Sequence, residues 1–430
     1  MTAESKGPLR RLSGLYYGWR MIGLVALIRT IGGGLHGYGF TVFFLPISTE
    51  LGISRAATSL AFSLARAEGA IEGPLAGYLV DRFGTRPVLL TAALLCGLGY
   101  ILLSWVDSYT GFLITYLGVI SLTFTPGFMI APAVLANSWF IRHRARAFTC
   151  LSAAMPIGGV LITPLLAIAV QNWGWRWAAI LTGCLFLFVA APLTYGIRRT
   201  PESMGLLPDG DLRPDEEAKE SPPGAPTAGE DASSDYTIRQ AMRSSVYWLF
   251  IFWMTARTCA FAIVIVHFVP LMVWKGLAPE SAAFFLSFFA FANLAAHFVL
   301  AWIADRVNKP RLVTYCMALA LISVLPLIQS DAVWGIWLFT TLFALVDAAI
   351  PVMWATVGDF FGRKSFGTIR GTMSFFYMWG SFIGPIFAGY VYDREQSYTL
   401  VLWALVALMV VASIMPALLI KPWAANRKRG

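Results

Sequence analysis

The sequence predicts an all-α membrane protein with twelve transmembrane helices in two pseudo-symmetric halves of six. Three observations support this fold class. The composition is 58% hydrophobic and only 13% charged, whereas soluble proteins carry about 25% charged residues. The apolar residues form twelve runs that are long enough to cross a bilayer. A charged turn between two of these runs recurs in the second half of the chain, which indicates an internal duplication.

Each predicted span is a run of about 20 apolar residues, the length that crosses a bilayer as an α-helix. Numbered in chain order, the twelve spans are 18–46, 55–79, 87–106, 111–137, 146–170, 175–197, 246–273, 280–304, 311–329, 332–358, 367–392 and 398–420. Residues 198–245 are rich in proline, glycine and charged side chains, which is typical of a polar, partly disordered linker. The predicted domains are residues 1–197, the linker 198–245 and residues 246–430. The end of the linker, 237–245, is compatible with a short amphipathic helix.

The duplicated turns are residues 77–87 and 301–311. Their charged residues include Asp81, Arg82, Arg86, Asp305 and Arg306. The two aspartates are 224 residues apart, and the same offset relates Pro46 to Pro270. The ends of spans 4 and 10 match at an offset of 221. Matches at three places with a nearly constant offset favour duplication of a six-helix unit.

The first turn, Gly77-Tyr-Leu-Val-Asp81-Arg82-Phe-Gly84-Thr-Arg86, resembles the signature loop of the major facilitator superfamily, roughly Gly-x-x-x-Asp-Arg-x-Gly-x-Arg/Lys. The second copy departs from this pattern at positions 301 and 308, where glycines would stand. The resemblance implies the major facilitator fold, with spans 1, 4, 7 and 10 lining a cavity between the halves. It also implies that the charged turns form a cytoplasmic gate in the outward-facing state. The alternative is that they only set the topology.

The loop charges predict the orientation. If the amino terminus is inside, the inside segments hold 25 of the 32 basic residues and the outside loops hold four. The positive-inside rule then predicts that both termini are cytoplasmic. Residues 1–11 are polar and basic, so no signal peptide is expected and the first span should act as the insertion signal.

Several polar side chains lie inside the predicted spans. An Arg or Asp at the centre of a membrane helix costs about 2.5–3.5 kcal/mol, so such residues are usually paired or functional. They include Arg29, His36, Arg66, Glu68, Glu72, Arg257, His267, Asn293, His297 and Asp347. At a rise of about 1.5 Å per residue, those whose depth can be counted lie roughly 12–20 Å from their helix ends, near the membrane midplane.

Arg29 and Arg257 lie at corresponding depths in the two halves. Two arginines facing one cavity are expected of an anion site, because a guanidinium binds a carboxylate through two parallel hydrogen bonds. We expect Arg257 to be the principal ligand, with Arg29 as its rival or support. His36, His267 and Asn293 complete the predicted substrate-binding set, although packing is as good an explanation of His36. A structural alternative makes Arg257 the ion-pair partner of Asp347.

The acids of this set are the predicted proton-coupling residues. Glu68, Glu72 and Asp347 are deep enough to take up a proton as the cavity changes sides, since burial and a nearby arginine act on a carboxyl in opposite directions. His267 is the alternative proton carrier. The structural alternatives are that Glu72 neutralises an arginine and that Asp347 is a buried ion-pair partner.

Three further stretches narrow the resemblance. Residues 199–210, 237–242 and 384–393 look like segments of monocarboxylate-porter-type and oxalate/formate-antiporter-type members of the superfamily. Members of that branch move small organic anions, commonly with protons. They often carry an anion-binding Arg, preceded by an Asp, in span 8. Here span 8 has Asn293 and His297 instead, so the anion-binding charge is expected from Arg29 or Arg257.

The predicted function is secondary active transport of a small organic anion, with a monocarboxylate as the expected class. Proton-coupled symport by alternating access is expected, in the cell membrane and as a monomer. The alternatives are an anion exchanger of the oxalate/formate type, a proton-driven drug or metabolite efflux antiporter, and a membrane sensor. No enzyme, cofactor or metal is predicted, because no nucleophile–base pair or metal cluster stands out. The net charge of +9 lies mainly in loops, so no nucleic-acid partner is predicted.

Overall fold

The structure is a computed structural model that describes residues 16–52, 55–210, 235–329 and 332–419. Twelve long helical stretches follow one another along these residues. They are α1 (Tyr17–Gly32, Gly33–Gly37 and Phe40–Glu50), α2 (Arg55–Phe83), α3 (Thr85–Leu103), α4 (Tyr109–Trp139), α5 (Arg144–Leu161, then from Thr163 to a break at Gly174), α6 (from that break to Gly196), α7 (Ser245–Trp274), α8 (Pro279–Ala304), α9 (Lys309–Gln329), α10 (Val333–Phe361), α11 (Phe366–Glu395) and α12 (Thr399–Leu418). Each of the twelve predicted spans corresponds to one of these helices.

Within the described residues, eight helical segments are long and apolar enough to cross a membrane on length and composition. The segment Arg144–Gly196 is 53 residues long and contains both α5 and α6. Gly174 separates these two helices, because its φ of 81° lies in the left-handed region that ends a right-handed helix. One glycine therefore divides this long apolar segment into two spans.

Large apolar side chains cover much of the outer surface of the helices. Phe188 is 75% exposed, Val160 73%, Trp105 68% and Phe291 66%. In a water-soluble protein, exposed apolar surface of this extent would favour aggregation, whereas lipid tails accommodate it. The distribution agrees with helices that face a bilayer.

The described residues divide into two compact units. Unit 1 contains α1, α3, α4, the later part of α5 and α6. Unit 2 contains α2, the first ten residues of α5 (Arg144–Ala153) and α7 to α12. Unit 2 thus takes elements from both predicted halves of the sequence. The predicted division into domains at 197 and 245 stays a prediction.

In unit 2, α2 and α11 touch along their backbones. A Cβ added to Gly73 of α2 would lie 2.7 Å from the carbonyl oxygen of Gly371 in α11. No side chain fits between backbones that are so close, and glycine is the residue that permits this approach. One turn further along, Gly77 faces Gly367 in the same way.

The two ends of the linker cap corresponding turns in the two units. Asp209 Oδ2 accepts hydrogen bonds from the backbone N–H groups of Ile141 and Arg142, after α4, at 2.8 and 2.7 Å. Asp235 Oδ1 accepts from the N–H of Arg363, after α10, at 2.7 Å. The predicted amphipathic helix is present as Ile238–Arg243, with Thr237 as its N-cap. The remainder of the linker, 211–234, and residues 1–15 lie outside the described residues, as do the expectations made for them.

Candidate functional site

A buried ion pair lies in the middle of α7 and α10. Arg257 is 5% exposed, and its Nη2 lies 3.3 Å from Oδ1 of Asp347. The Asp347 side chain keeps 26% of its surface exposed. The Nε of Arg257 has no hydrogen-bond partner among the described residues, and the guanidinium lies 5.4 Å from the ring centroid of Phe261. Arg257 thus has one carboxylate partner and spare donors.

The backbone of α10 is interrupted where it carries Asp347. The helix consists of Val333–Phe343, Leu345–Ala348 and Ile350–Phe361. Pro351 stands four residues after Asp347 and has no N–H to donate to the carbonyl of that residue, which explains a break at this point.

Asn293 of α8 approaches the same carboxylate. Its Nδ2 donates to the carbonyl oxygen of Ala344 at 3.0 Å and lies 3.5 Å from Oδ2 of Asp347. His297, one turn later in α8, has its Nδ1 2.9 Å from the Asn293 carbonyl oxygen. The structure therefore brings together three of the predicted residues, Arg257, Asn293 and Asp347, on three helices of unit 2.

His267 belongs to a separate cluster of unit 2. Its Nδ1 lies 3.1 Å from the hydroxyl of Tyr398, and its Nε2 lies 3.0 Å from the carbonyl oxygen of Pro385 in α11. A carbonyl can only accept, so Nε2 carries a proton in this arrangement. His267 joins α7 to α11 and to the start of α12.

Two predicted ligands lie in α1, in unit 1. Arg29 is buried, four residues before the short π-helical turn Gly33–Gly37. His36 belongs to this turn, and its Nδ1 lies 2.8 Å from the hydroxyl of Tyr100. The ring of Phe124 lies 4.4 Å from the His36 ring. His36 is therefore surrounded by aromatic side chains of α3 and α4.

The acids of α2 have the spacing that the sequence predicts. Glu68 and Glu72 are four residues apart on α2 and both are partly buried. The side chain of Arg66 lies outside the described part of the structure. The proton-coupling role of the two glutamates stays a prediction.

Asp81, at the end of α2, holds the first turn of α11. Its Oδ1 accepts from the N–H of Gly367 at 2.9 Å, and its Oδ2 accepts from the N–H and the hydroxyl of Thr368, each at 2.7 Å. The first N–H groups of a helix have no partner within it, and its dipole attracts a negative charge at this end. Asp81 therefore supplies both the hydrogen-bond acceptors and the negative charge that stabilise the amino terminus of α11.

Asp305, the counterpart of Asp81 in the second copy of the turn, lies near the first turn of α5. The Nε of Arg146 lies 3.0 Å from Oδ2 of Asp305. The other turn residues have local partners. Arg82 donates to the hydroxyl of Tyr78, Arg86 lies over the ring of Tyr195, and Arg306 lies over the ring of Trp302.

A third charged cluster was not anticipated from the sequence. Asp359, near the end of α10, accepts from Nη1 of Arg144 at 2.6 Å and from Nζ of Lys309 at 2.5 Å. Arg144 and Lys309 are only 2% and 7% exposed. The three residues belong to α10, α5 and α9, so sequence spacing gives no sign that they meet.

A second arginine of unit 2 also escaped sequence analysis. The predicted span 367–392 already contains Arg370, but the count of loop charges included it and the set of polar residues inside the spans did not. In the structure α11 begins at Phe366, so Arg370 lies inside the helix. Its guanidinium carbon lies 4.3 Å from the ring centroid of Trp354 in α10. The Trp354 ring also lies 6.2 Å from that of Tyr377 in α11.

In the part of the chain that the structure describes, no group of three or more His, Cys, Asp and Glu side chains could hold a metal ion. What the Arg257 cluster offers is a buried cation with one carboxylate counterion and free donors. Such a group can bind an anion and exchange partners.

A sequence profile described as the Major Facilitator Superfamily matches residues 22–369. The chain belongs to this superfamily. Monocarboxylate transporter 13 of Bos taurus is 24% identical over 393 residues, which cover 89% of this chain and 84% of that protein. Monocarboxylate transporter 2 of Mesocricetus auratus is 23% identical over 415 residues, which cover 93% and 83%. A probable hexose phosphate transport protein of Chlamydia pneumoniae is 25% identical over 315 residues, which cover 69% and 68%.

Solved structures confirm the predicted fold. The fucose:proton symporter of E. coli has a TM-score of 0.71 at 13% identity, and the match covers 94% of this chain and 98% of that one. A human organic anion transporter has a TM-score of 0.62 at 15% identity, with coverages of 96% and 100%. The chain is therefore a multi-pass membrane transporter of the major facilitator superfamily that is similar to monocarboxylate transporters, and not an enzyme.

Proposed function

We propose that the protein carries a small monocarboxylate across the cell membrane together with a proton, by alternating access. The observation that carries the proposal is the buried pair of Arg257 and Asp347, in which the arginine keeps unused donors. The names of the monocarboxylate-transporter relatives support the substrate class. Arg257 is the proposed principal ligand, with Asn293 beside it.

Charge balance explains why a proton should accompany the anion. Arg257 and Asp347 together are neutral, so a bound monoanion gives the cluster one negative charge. Burial disfavours net charge. A proton on Asp347 restores neutrality, and it frees the donors of Arg257 for the two oxygens of the substrate carboxylate. The loaded site then contains one cation, one anion and one neutral acid.

The remaining predicted residues have supporting places in this proposal. Arg29 and His36 are proposed as further substrate ligands, and Glu68 and Glu72 are proposed as further acids for proton transfer. His267 is the alternative proton carrier. The charged turns at Asp81 and Asp305 close the side that the loop charges predict to be cytoplasmic.

The decisive experiment is uptake into proteoliposomes with labelled pyruvate, L-lactate, oxalate and glucose 6-phosphate. For a monocarboxylate symporter, pyruvate or lactate should accumulate under an inward proton gradient, and a protonophore should abolish the accumulation. Uptake by an exchanger would respond neither to the proton gradient nor to the protonophore, and it would require an anion on the opposite side of the membrane. Uptake of none of the four acids, with proton-driven export of a cationic drug, would establish the efflux alternative.

Variants of the ion pair test the coupling. Asp347→Asn should lose accumulation driven by the proton gradient and retain exchange of labelled for unlabelled substrate. Arg257→Lys should weaken binding, since the fork of donors is lost, and Arg257→Ala should abolish it. Wild-type affinity in folded Arg257→Ala would refute the assignment. Recovery of both folding and transport in Arg257→Ala/Asp347→Ala would show that the pair is only structural.

The proposed orientation has its own test. In a background without native cysteines, Ala225→Cys in the linker should react with a membrane-impermeant maleimide only after cells are opened. Labelling of intact cells would contradict cytoplasmic termini. A monomer is proposed as the functional unit, and cross-linking in the membrane would detect a larger assembly.

A further inference from the structure

Two neighbouring helices of unit 2 each carry a pair of polar or aromatic side chains seven residues apart. The pairs are Asp347 and Trp354 on α10, and Arg370 and Tyr377 on α11. Seven residues make about two turns of a continuous helix, which places Arg370 and Tyr377 on similar sides of α11. Trp354 contacts both residues of the second pair, with 4.3 Å to the Arg370 guanidinium and 6.2 Å to the Tyr377 ring.

Arg370 is a cation that has no counterion among the described residues. It is partly buried, and it makes no hydrogen bond or ion pair with any residue that the structure describes. The residue is only partly buried, so part of its side chain remains accessible. A guanidinium that lies over an indole ring still presents its N–H groups at its edge. That edge binds a carboxylate through two parallel hydrogen bonds.

Tyr377 lies between Arg370 and the level of the pair described above. A Cβ added to Gly380, three residues after Tyr377 on α11, would lie 2.7 Å from the carbonyl oxygen of Thr255, two residues before Arg257 on α7. The Ser374 hydroxyl donates to the Tyr377 oxygen at 3.4 Å and helps to fix it. Tyr377 therefore lies on α11 between Arg370 and the level at which α11 meets the part of α7 that carries Arg257.

We infer that Arg370, supported by Trp354 and Tyr377, is a second carboxylate-binding site on the path of the transported anion. This inference rests on the proposed function. The pair of Arg257 and Asp347 is neutral, so it exerts little attraction on an approaching monoanion. Arg370 supplies the unbalanced positive charge that captures the carboxylate. The anion passes to Arg257 when a proton neutralises Asp347.

A structural explanation competes with this inference. Arg370 could serve only to pack on Trp354, in which case its charge and its hydrogen-bond fork would be irrelevant to binding. The two explanations differ for Arg370→Lys and Arg370→Gln. Packing needs the aliphatic stem and a flat or long side chain, whereas anion binding needs the charge and the fork.

The test is equilibrium binding of pyruvate, L-lactate and benzoate, each measured separately by calorimetry on purified protein. Charged hydrogen bonds of this kind support a loss of about tenfold to a hundredfold in affinity for Arg370→Gln, and a smaller loss for Arg370→Lys. Lys364→Gln, on the exposed turn before α11, is the matched control and should bind as the wild type does. The Arg257 variants are measured beside them.

A footprint on the wild-type protein makes the test independent of variant folding. Phenylglyoxal should modify the accessible Arg370, and mass spectrometry of the peptide that contains it gives the rate. The acid that binds should slow this reaction at concentrations that match its dissociation constant. Its uncharged amide should not.

The possible outcomes separate the inference from the function on which it rests. Unchanged affinity in Arg370→Gln for an acid that binds the wild type would overturn the inference and leave the proposed function intact, as would a footprint that this acid does not alter. Failure of all three acids to bind the wild type would overturn both. Loss of affinity in Arg370→Gln together with a protected footprint would establish the second site.

Discussion

Asp81 is the acceptor that holds the first turn of α11, so replacing its carboxylate tests the gate directly. It receives two backbone N–H groups and one hydroxyl from Gly367 and Thr368, at 2.7–2.9 Å. The two N–H groups have no alternative partner within the helix. Asp81→Asn and Asp81→Ala therefore remove successive parts of a single interaction.

The size of each loss follows from these contacts. Asp81→Asn keeps an oxygen acceptor but removes the charge at the helix amino terminus, which contributes about 1 kcal/mol, or about fivefold in an equilibrium constant. Asp81→Ala also removes the hydrogen bonds. Water replaces part of these hydrogen bonds at this partly exposed position. We therefore expect a total loss of about 2–3 kcal/mol for Asp81→Ala, or about 30- to 150-fold in the equilibrium constant.

Hydrogen–deuterium exchange measures the effect at the place where it arises. The amides of Gly367 and Thr368 should exchange faster by these factors, and transport should slow because the closed arrangement is less populated. Substrate affinity should stay within about twofold of the wild type if only the gate is affected. Glu395→Gln, exposed at the other end of α11, is the matched control. Unchanged exchange in Asp81→Ala, or a large loss of affinity with normal turnover, would refute the reasoning.

Two further predictions concern charged groups outside this gate. Glu50 accepts hydrogen bonds from Arg176 and from Trp175, and these bonds lower the pKa of Glu50 below its ordinary 4.5. A lowered carboxyl pKa gives stability that is present above about pH 4.5 and is lost as pH falls through the lowered value. The melting-temperature difference between wild type and Glu50→Gln should therefore shrink below about pH 4.5, and a difference that grows there would contradict the pairing. Asp359→Asn removes a carboxylate charge that pairs with buried Arg144 and Lys309 and should cost about 3–5 kcal/mol in thermal unfolding, whereas the exposed Asp393→Asn should be neutral. Equal melting temperatures for these two variants would contradict that role of Asp359.

The helices were predictable because membrane crossing leaves a strong local signal. Every predicted span lies on a helix, since a run of apolar residues of that length has few alternatives. The break at Gly174 was predictable for the same reason, as the spans end on either side of it. The fold could therefore be predicted without knowledge of side-chain contacts.

The site was only partly predictable. The sequence offers the pairing of Arg257 with Asp347 as the structural alternative, and the structure contains that pair. The sequence alone gives no means of choosing the partner of Arg257, because residues that are 90 positions apart meet only when α7 packs near α10. Arg370 was missed because a charge near the end of a span counts as a loop charge. Its position inside the predicted span 367–392, seven residues before Tyr377, is the signal that could have found it.

The close approach of α2 and α11 leads to a last prediction, in which no charge changes. A methyl group at Gly73 would lie 2.7 Å from the Gly371 carbonyl oxygen, closer than carbon and oxygen pack, so the two helices must separate. Overpacking of this kind costs about 1–3 kcal/mol. Gly73→Ala should therefore speed amide exchange at Gly367 and Thr368 as Asp81→Asn does. Because both changes weaken one contact, the double variant should show less than the sum of the two effects. Additive effects would mean that Asp81 and the glycine contact act independently, and that α2 and α11 do not open as a unit.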